Sequence, residues 1–438
     1  MMLRRILKLH SCRSATVNHH RWMAQPSSTS ITTTTICRTS RSHYHEVSFQ
    51  KHGEPCDVLS YRNTTSTPLE DQNDVDNDLV HVKMLHVPWN PADINTVQGK
   101  YPSPYTYSTN DNINREVYEK LRTSRYFDGC SISGSEGWGR VVSAPSSSGL
   151  KQGELVTMGL PGMGTMSSDL MVPSDALLPL GDKGEQIFEK LGPSASSLFQ
   201  LGGTALRMLT DFVQLQSGDD VVIQNAGNSG VGLLTSQLAS VLFKIPIVSI
   251  IRRGTKTPTQ YDELVHYLTT VGNNSLVVAE EDLAGDKNRL KEFHTQLRDL
   301  SPTNNELPTL ALNAVGGTSS SLLLKCLKDG GTLVTYGGMS KEPVVVSTPQ
   351  LIFKNLKVVG YWHSRWMIEN HNQQQSNNVK MDMIHTLMDA VLDHNLQCPP
   401  AQTFQLSEID TALQEQSEMT NSNSSSSIRH KIVFDCQE

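Results

Sequence analysis

Residues 220–232, DVVIQNAGNSGVG, decide how the central part of this 438-residue chain folds. The stretch begins as an apolar strand, passes through a glycine-rich turn, and leads into residues 231–242, whose apolar positions have helical spacing. Such a turn lets the backbone approach a pyrophosphate, which the N–H groups at a helix start bind. The spacing of Gly227, Gly230 and Gly232 departs from the strict GxGxxG fingerprint, so the motif alone indicates dinucleotide binding only moderately. An ordinary strand-to-helix turn is the alternative.

Strand and helix patterns alternate on the C-terminal side of this motif, from the apolar strand at 246–252 to another at 356–361. Apolar strands that alternate with helices predict a parallel sheet covered on both faces. Residues 46–198 instead have short, partly alternating strand patterns, as in 78–85. The tail adds helices and a last strand at 431–435. The sequence therefore predicts an α/β protein with a second, β-rich part.

The N-terminal 45 residues are rich in Ser and Thr and hold seven basic residues and no acidic one. That composition is typical of a mitochondrial or plastid transit peptide, and a disordered basic tail is the alternative. We expect the protein to be located in the mitochondrial matrix. Without the seven basic residues the net charge falls from −7 to about −14, which argues against nucleic-acid binding. No apolar run approaches the roughly 18 residues of a membrane span.

The second apolar strand ends in basic residues. Arg252 and Arg253 close it, Lys256 follows, and no acidic residue occurs before Asp262. NAD enzymes tend to place an acidic residue there for the ribose 2′-hydroxyl, whereas arginine pairs with the 2′-phosphate of NADP. The sequence therefore predicts NADPH as the cofactor, against the alternative of a solvated basic turn.

Two further strand ends fit the same site, because ligands of parallel sheets lie at the carboxyl ends of the strands. Core packing is the alternative for their aromatic residues. The residues concerned are Tyr336, Gly337, Gly338 and Met339 after one strand, and Tyr361, Trp362, His363 and Ser364 after another.

Several motifs resemble a known family. NPADIN (90–95), QGKY (98–101) and GSEG (134–137) resemble the medium-chain dehydrogenase/reductase superfamily. Within it, the chain is similar to the mitochondrial trans-2-enoyl-CoA reductases, in matching order from about residue 46 to 435. The motifs that carry this closer similarity are QLQSGDDVVIQNAGNSGVG (214–232), LALNAVGG (310–317), GGTLVTYGGMS (330–340) and LIFKNLKVVGYWHSRW (351–366).

The resemblance implies an NADPH-dependent reduction of the 2,3 double bond of an enoyl thioester on acyl carrier protein or CoA, within mitochondrial fatty-acid synthesis. Hydride would reach Cβ and a proton Cα. The family's catalytic tyrosine falls on Tyr101, whose phenol would act as an acid and hydrogen-bond the developing enolate. Tyr105, Tyr107 and Tyr126 lie nearby without matching the motif.

The family's cofactor contacts fall on residues at five places in the chain. Three positions depart from the family: Leu201, beside Gln200, stands where an asparagine is usual, Gly254 replaces the third basic residue, and a C-terminal lysine falls on His430 or Lys431. The implied cofactor residues are Asn228, Ser229, Gly230, Val231, Arg252, Arg253, Tyr336, Gly337, Gly338, Met339, Tyr361, Trp362, His363, Ser364 and Lys431.

The resemblance also implies a Rossmann domain inserted into a GroES-like catalytic domain, and a homodimer formed along the edge of the Rossmann sheet near Val358. The expected divisions are a transit peptide (1–45), the N-terminal part of the catalytic domain (46–198), the NADPH-binding domain (199–365) and the C-terminal part of the catalytic domain (366–438).

Three other functions compete with this reading. A zinc dehydrogenase needs a histidine where Ser135 stands and usually a four-cysteine lobe, so we expect no metal. A quinone reductase-like enzyme would oxidise NADPH with quinones. A silent relative would bind NADPH without turnover.

Overall fold

The computed structural model describes residues 44–64, 79–101, 131–301, 303–371, 376–420 and 428–437. Residues 1–43 of the predicted transit peptide, and the tyrosines at 105, 107 and 126, lie outside this range. The described residues belong to one compact unit.

The strands are named in chain order over the described residues. They are β1 (Tyr44–Phe49), β2 (Ser60–Thr64), β3 (Leu79–Pro88), β4 (Ser131–Ile132), β5 (Trp138–Ser143), β6 (Leu155–Met158), β7 (Asp169–Pro173), β8 (Leu177–Pro179), β9 (Val222–Asn225), β10 (Ile247–Ile251), β11 (Leu276–Ala279), β12 (Leu310–Asn313), β13 (Thr332–Thr335), β14 (Lys357–Gly360), β15 (Ala401–Gln405) and β16 (Lys431–Asp435).

The helices are named in the same way. They are α1 (Pro55–Val58), α2 (Pro91–Val97), α3 (Gly181–Leu191), α4 (Leu198–Thr210), α5 (Gly230–Leu238), α6 (Pro258–Thr270), α7 (Glu280–Leu283), α8 (Lys287–Asp299), α9 (Gly317–Cys326), α10 (Thr348–Ile352), α11 (His363–Glu369), α12 (Ser376–His394) and α13 (Ile409–Thr420).

The nucleotide sheet, as we name the parallel sheet, has the strand order β11-β10-β9-β12-β13-β14. Its central strand β9 is fully buried, and apolar clusters cover both faces. Strands β10 and β11 lie on one side of β9, and β12, β13 and β14 lie on the other side. The strand order therefore changes direction next to β9, and ligands of doubly wound sheets bind at such a point. The predicted α/β class with a Rossmann-type sheet is confirmed.

A second, mainly antiparallel sheet joins distant parts of the chain. Its order is β15-β16-β3-β5-β6-β8, with β7 also paired to β3. The C-terminal strand β16 is antiparallel to β3, with Val433 opposite Pro88. The β-rich part predicted as GroES-like is therefore completed by the chain's last strand. The exact domain boundaries stay a prediction.

One lysine, Lys380 of α12, is fully buried. Its Nζ donates to the Gly159 carbonyl at 2.8 Å and lies 3.3 Å from Nδ1 of His371. Burial lowers the pKa of Lys380 to about 7, and the charge of Asp175 opposes this. The charged form is therefore disfavoured in the folded protein.

We expect this burial to make stability depend on pH. The pKa of Lys380 is about 7 in the folded protein against 10.5 for an ordinary lysine, so the unfolded chain binds the proton more tightly. The free energy of unfolding should then rise with pH between those values, by at most roughly 5 kcal/mol. Unfolding by urea at pH 6, 8 and 10 should show the stability of Lys380→Met, relative to the wild type, falling as pH rises. A difference in stability that does not change with pH would contradict this.

Candidate active site

The glycine turn after β9 is packed too tightly for side chains. A Cβ at Gly227 would lie 2.2 Å from Oγ of Ser249, and one at Gly232 would lie 2.5 Å from the Ala226 carbonyl oxygen. Ser229 caps α5, its Oγ accepting the N–H of Gly232 at 3.1 Å. Since only glycine fits at both positions, the turn brings the backbone to the start of α5 in the form that a pyrophosphate requires.

The predicted residues of this turn are half-buried: Asn228, Ser229, Gly230 and Val231. Leu201, at the position of the family's asparagine, contacts the turn through its side chain. A Cβ at Gly230 would come within 2.8 Å of Leu201 Cδ1. Leu201 therefore supports the turn by packing.

The ends of β9 and β12 are held together by amide hydrogen bonds. Asn225 donates from Nδ2 to Oδ1 of Asn313 at 2.8 Å, and its own Oδ1 accepts the N–H of Ala314 at 2.8 Å. These bonds fix the carboxyl ends of β9 and β12, and the parallel strand β13 ends beside them.

Residues 336–339 follow β13 at the carboxyl ends of these strands. The Tyr336 hydroxyl is buried, and burial raises the pKa of its phenol, an effect that nearby Ser229 opposes. Gly337 is half-buried, nothing lies within 4 Å of a Cβ at Gly338, and Met339 is 57% exposed. The structure therefore brings these residues next to the glycine turn, with open space beside Gly338.

The predicted arginines after β10 have different surroundings. Arg252 is exposed. Arg253 donates twice to Asp282, at 2.7 and 2.6 Å, and its guanidinium lies 5.0 Å from the centre of the Tyr261 ring. The carboxylate of Glu281 accepts the N–H groups of Arg253 and Gly254, both at 3.1 Å. Arg253 thus orders the loop, while Arg252 faces outward.

Arg429, which the sequence analysis did not select, joins Arg252. Burial lowers the pKa of Lys256, and the charges of Arg429 and Arg252 act in the same direction. Burial and Arg252 also lower the pKa of Arg429. We name Arg252, Lys256 and Arg429 the basic cluster. Its position at the end of β10 suits a 2′-phosphate.

Tyr101 lies just beyond α2, at the end of a tight turn. The helix starts at Pro91, capped by Asn90 and Asp93, and the Tyr101 N–H donates to the Asn95 carbonyl at 3.2 Å. The Tyr101 ring lies 5.8 Å from the Trp362 ring, tilted by 59°. The structure therefore brings the predicted catalytic tyrosine to a predicted cofactor residue beyond β14.

The neighbours of Trp362 point in different directions. His363 is buried, and Tyr361 Oη lies 2.8 Å from its Nδ1. Burial lowers the pKa of His363 to about 3, and Arg207 and Lys380 add to this. His363 is therefore a neutral core residue, stacked on Trp366 at 5.8 Å. Its contact with cofactor, like that of half-buried Ser364, stays a prediction.

Lys431, at the start of β16, is influenced by buried carboxyl groups. Burial lowers the pKa of Lys431 to about 8, and the charges of Glu136 and Asp93 oppose this. Burial also raises the pKa of Glu136 to about 8 and that of Asp93 to about 6. The structure thus groups three ionisable residues that the sequence analysis did not connect.

Over the described part of the chain, no group of three His, Cys, Asp or Glu residues is placed to hold a metal ion. Within the same ranges, no helix is both long and apolar enough to cross a membrane.

Known proteins resemble the chain in sequence and in structure. It is 38% identical over 335 residues to a mitochondrial enoyl-[acyl-carrier-protein] reductase of Rattus norvegicus, covering 76% of each chain. A solved complex of Etr1p with NADP and crotonyl-CoA superposes with a TM-score of 0.72 at 25% identity, covering 90% of this chain and 100% of that one. The Etr1p/Etr2p heterodimer of the mitochondrial 2-enoyl thioester reductase from Candida tropicalis gives 0.71, also at 25% identity, with the same coverage.

No profile of a protein family matches the chain. The pairwise identity is nevertheless high over most of both sequences, and it agrees with the resemblance carried by the motifs at 90–101 and 214–232. The chain belongs to the family of mitochondrial enoyl-[acyl-carrier-protein] reductases.

Proposed function

We propose that this protein reduces the 2,3 double bond of trans-2-enoyl thioesters, carried on acyl carrier protein or CoA, with NADPH in the mitochondrial matrix. The observation that carries the proposal is the contact of Tyr101 with Trp362, because it puts an acid beside the strand ends of the nucleotide sheet. When bound, NADPH supplies the hydride that Cβ receives.

The residues present fit NADPH. The glycine turn leaves the start of α5 accessible to a pyrophosphate, and the open backbone at Gly338 leaves space beside it. The basic cluster would hold the 2′-phosphate through Arg252 and Arg429. Glu281, an acidic residue beside this loop, already accepts two backbone N–H groups.

Tyr101 has two tasks in this reaction. As Cβ gains hydride, negative charge develops on the thioester oxygen, and a phenol hydrogen bond stabilises that enolate. The phenol then gives its proton to Cα and recovers one from water. The products are the saturated thioester and NADP⁺, so one hydride added at Cβ and one proton added at Cα balance the step.

A direct assay tests this function against its rivals. Absorbance at the NADPH band is followed with trans-2-hexenoyl-CoA, then with NADH in place of NADPH, and then with a quinone. We expect turnover with NADPH and the enoyl thioester. Turnover with the quinone alone would instead identify a quinone reductase, and binding of NADPH without any turnover would identify a silent relative.

We also propose that two copies pair along β14. This strand is the last of the nucleotide sheet, with Val358 38% exposed. Apolar side chains beside it are strongly exposed, Ile352 at 64% and Phe353 at 78%. An exposed strand edge flanked by apolar side chains is an association surface, and pairing two β14 strands would cover both.

We expect Phe353→Glu combined with Val358→Glu to halve the mass measured by light scattering at micromolar concentration. The introduced charges would be buried at the contact without partners. Val142→Glu is the matched control, because Val142 is equally exposed, at 37%, on the other sheet. A wild-type monomer, or an unchanged mass in the double variant, would contradict the proposed pairing.

A further inference from the structure

Glu136 connects the two halves of the site. Its side chain is buried, with the residue only 5% exposed. Oε1 accepts the backbone N–H of Gln200 at 2.6 Å, and Oε2 accepts Nδ2 of Asn90 at 3.2 Å. One carboxyl group thus bonds to the first turn of α4 and to the residue that caps α2.

The Asn90 bond leads to the tyrosine. Asn90 donates its own N–H to Oδ2 of Asp93 at 2.9 Å, which fixes the start of α2. This helix has only seven residues, and the turn that follows is tied back to it by the bond from Tyr101 to Asn95. A shift of Asn90 would therefore be passed on to Tyr101.

The Gln200 bond leads to the glycine turn. Gln200 is followed by Leu201, whose side chain fills the space where Gly230 lacks a Cβ. Asn90 and Gln200 belong to different halves of the fold, one at the end of β3 and one on the helix that precedes the nucleotide sheet. Glu136 therefore sets the separation of the tyrosine and the dinucleotide turn.

The positive charge of Lys431 acts on the carboxyl groups of Glu136 and Asp93. The Trp89 N–H donates to the Ile432 carbonyl at 2.9 Å, which continues the pairing of β16 with β3 and brings Lys431 opposite Asn90. The charges of Glu136 and Asp93 favour the ammonium form of Lys431. A cation at that place limits the cost of burying two acidic residues.

We propose that Glu136 is a positioning residue that holds Tyr101 in register with the bound dinucleotide. It acts through its hydrogen bonds to Asn90 and Gln200. The inference rests on the proposed function, because it needs Tyr101 to be the proton donor.

A double-mutant cycle on the full chain tests the inference. We expect Glu136→Ala to lower kcat for enoyl-CoA reduction about 30-fold, since small displacements of reacting groups cost up to roughly 100-fold. In the Tyr101→Phe background the same change should lower kcat less than threefold, because the group being positioned is already gone. A structural role alone would give effects that multiply.

Two variants complete the test. Glu136→Gln should keep kcat within threefold of the wild-type value. The amide oxygen can still accept the N–H of Gln200, and the amide nitrogen can donate to Oδ1 of Asn90, which is buried without a partner in the described residues. Thr157→Ala is the matched control. It removes a buried 3.1 Å hydrogen bond to the Gly137 carbonyl, and this bond does not connect α2 to α4. Its kcat should change less than threefold.

The outcomes separate the two proposals. A wild type without turnover overturns the proposed function and this inference with it. An active wild type in which the effects of Glu136→Ala and Tyr101→Phe multiply, or in which Glu136→Ala keeps its kcat, overturns the positioning role alone. If Glu136→Ala does not fold, Asn90→Ala takes its place in the cycle, with the same expected non-additivity.

Discussion

Tyr101→Phe is expected to lower kcat for enoyl thioester reduction by about 10²- to 10⁴-fold, which is the contribution of a positioned general acid. The change removes one hydroxyl and keeps the ring that contacts Trp362 at 5.8 Å. The fold should therefore be unchanged. The dissociation constant of NADPH should stay within threefold of the wild-type value. Stopped-flow absorbance gives kcat, and quenching of protein fluorescence gives the dissociation constant.

Tyr267→Phe is the control for the loss of a phenol elsewhere. Tyr267 lies on α6, at the side of the nucleotide sheet formed by β10 and β11, and is half-buried. Its kcat should be unchanged. A Tyr101→Phe protein that keeps kcat within threefold would remove Tyr101 as the proton donor, and with it the main argument from the motif at 98–101.

Arg252→Ala combined with Arg429→Ala is expected to raise the dissociation constant of NADPH about 100-fold. Each guanidinium offers charge-assisted hydrogen bonds to a phosphate, and such bonds contribute about 1.5–3 kcal/mol. NADH lacks the 2′-phosphate, so its dissociation constant should change less than threefold. Calorimetric titration of both nucleotides measures the change in preference.

The single variants rank the arginines of the loop. Arg253→Ala should weaken NADPH binding less than tenfold, because its guanidinium is already held by Asp282 at 2.6 Å. Equal losses for NADPH and NADH in the double variant would mean that the basic cluster does not contact the 2′-phosphate. A larger effect at Arg253 than at Arg252 would reverse the assignment made from their surroundings.

Local patterns in the sequence were enough to predict the nucleotide sheet. Its inner strands are mostly apolar, because both faces of the sheet are covered, and the glycine turn at 227–232 is bounded by a strand and a helix. The last strand, 431–435, was also predicted to the residue. Periodicity and turn chemistry act within a few residues, so these features can be read from a single chain.

Tertiary packing decided what the sequence could not show. Helix α4 begins at Leu198, six residues before the helical spacing of apolar residues starts at Thr204, because Leu198 and Phe199 are buried in the core. The pairing of β16 with β3, the approach of Arg429 to Arg252, and the bonds from Glu136 to Gln200 join residues far apart in sequence. No local pattern encodes such contacts.

Position within a motif also said little about the surroundings of each side chain. Arg252 and Arg253 are adjacent and chemically identical, yet only Arg253 has the acidic residues Glu281 and Asp282 beside it. His363 follows Trp362 directly but points into the core. Alternation along an extended segment sends neighbouring side chains to opposite sides, and only the fold determines what each side meets.

The fate of the hydride tests the central claim most directly. The protein is incubated with trans-2-hexenoyl-CoA and NADPH that carries deuterium at the transferred position, and the product is analysed by mass spectrometry and NMR. The expected product is hexanoyl-CoA with a single deuterium, located on Cβ, while a parallel reaction in D₂O with unlabelled NADPH places deuterium on Cα. A product without deuterium on Cβ, or no saturated thioester at all, would contradict the account.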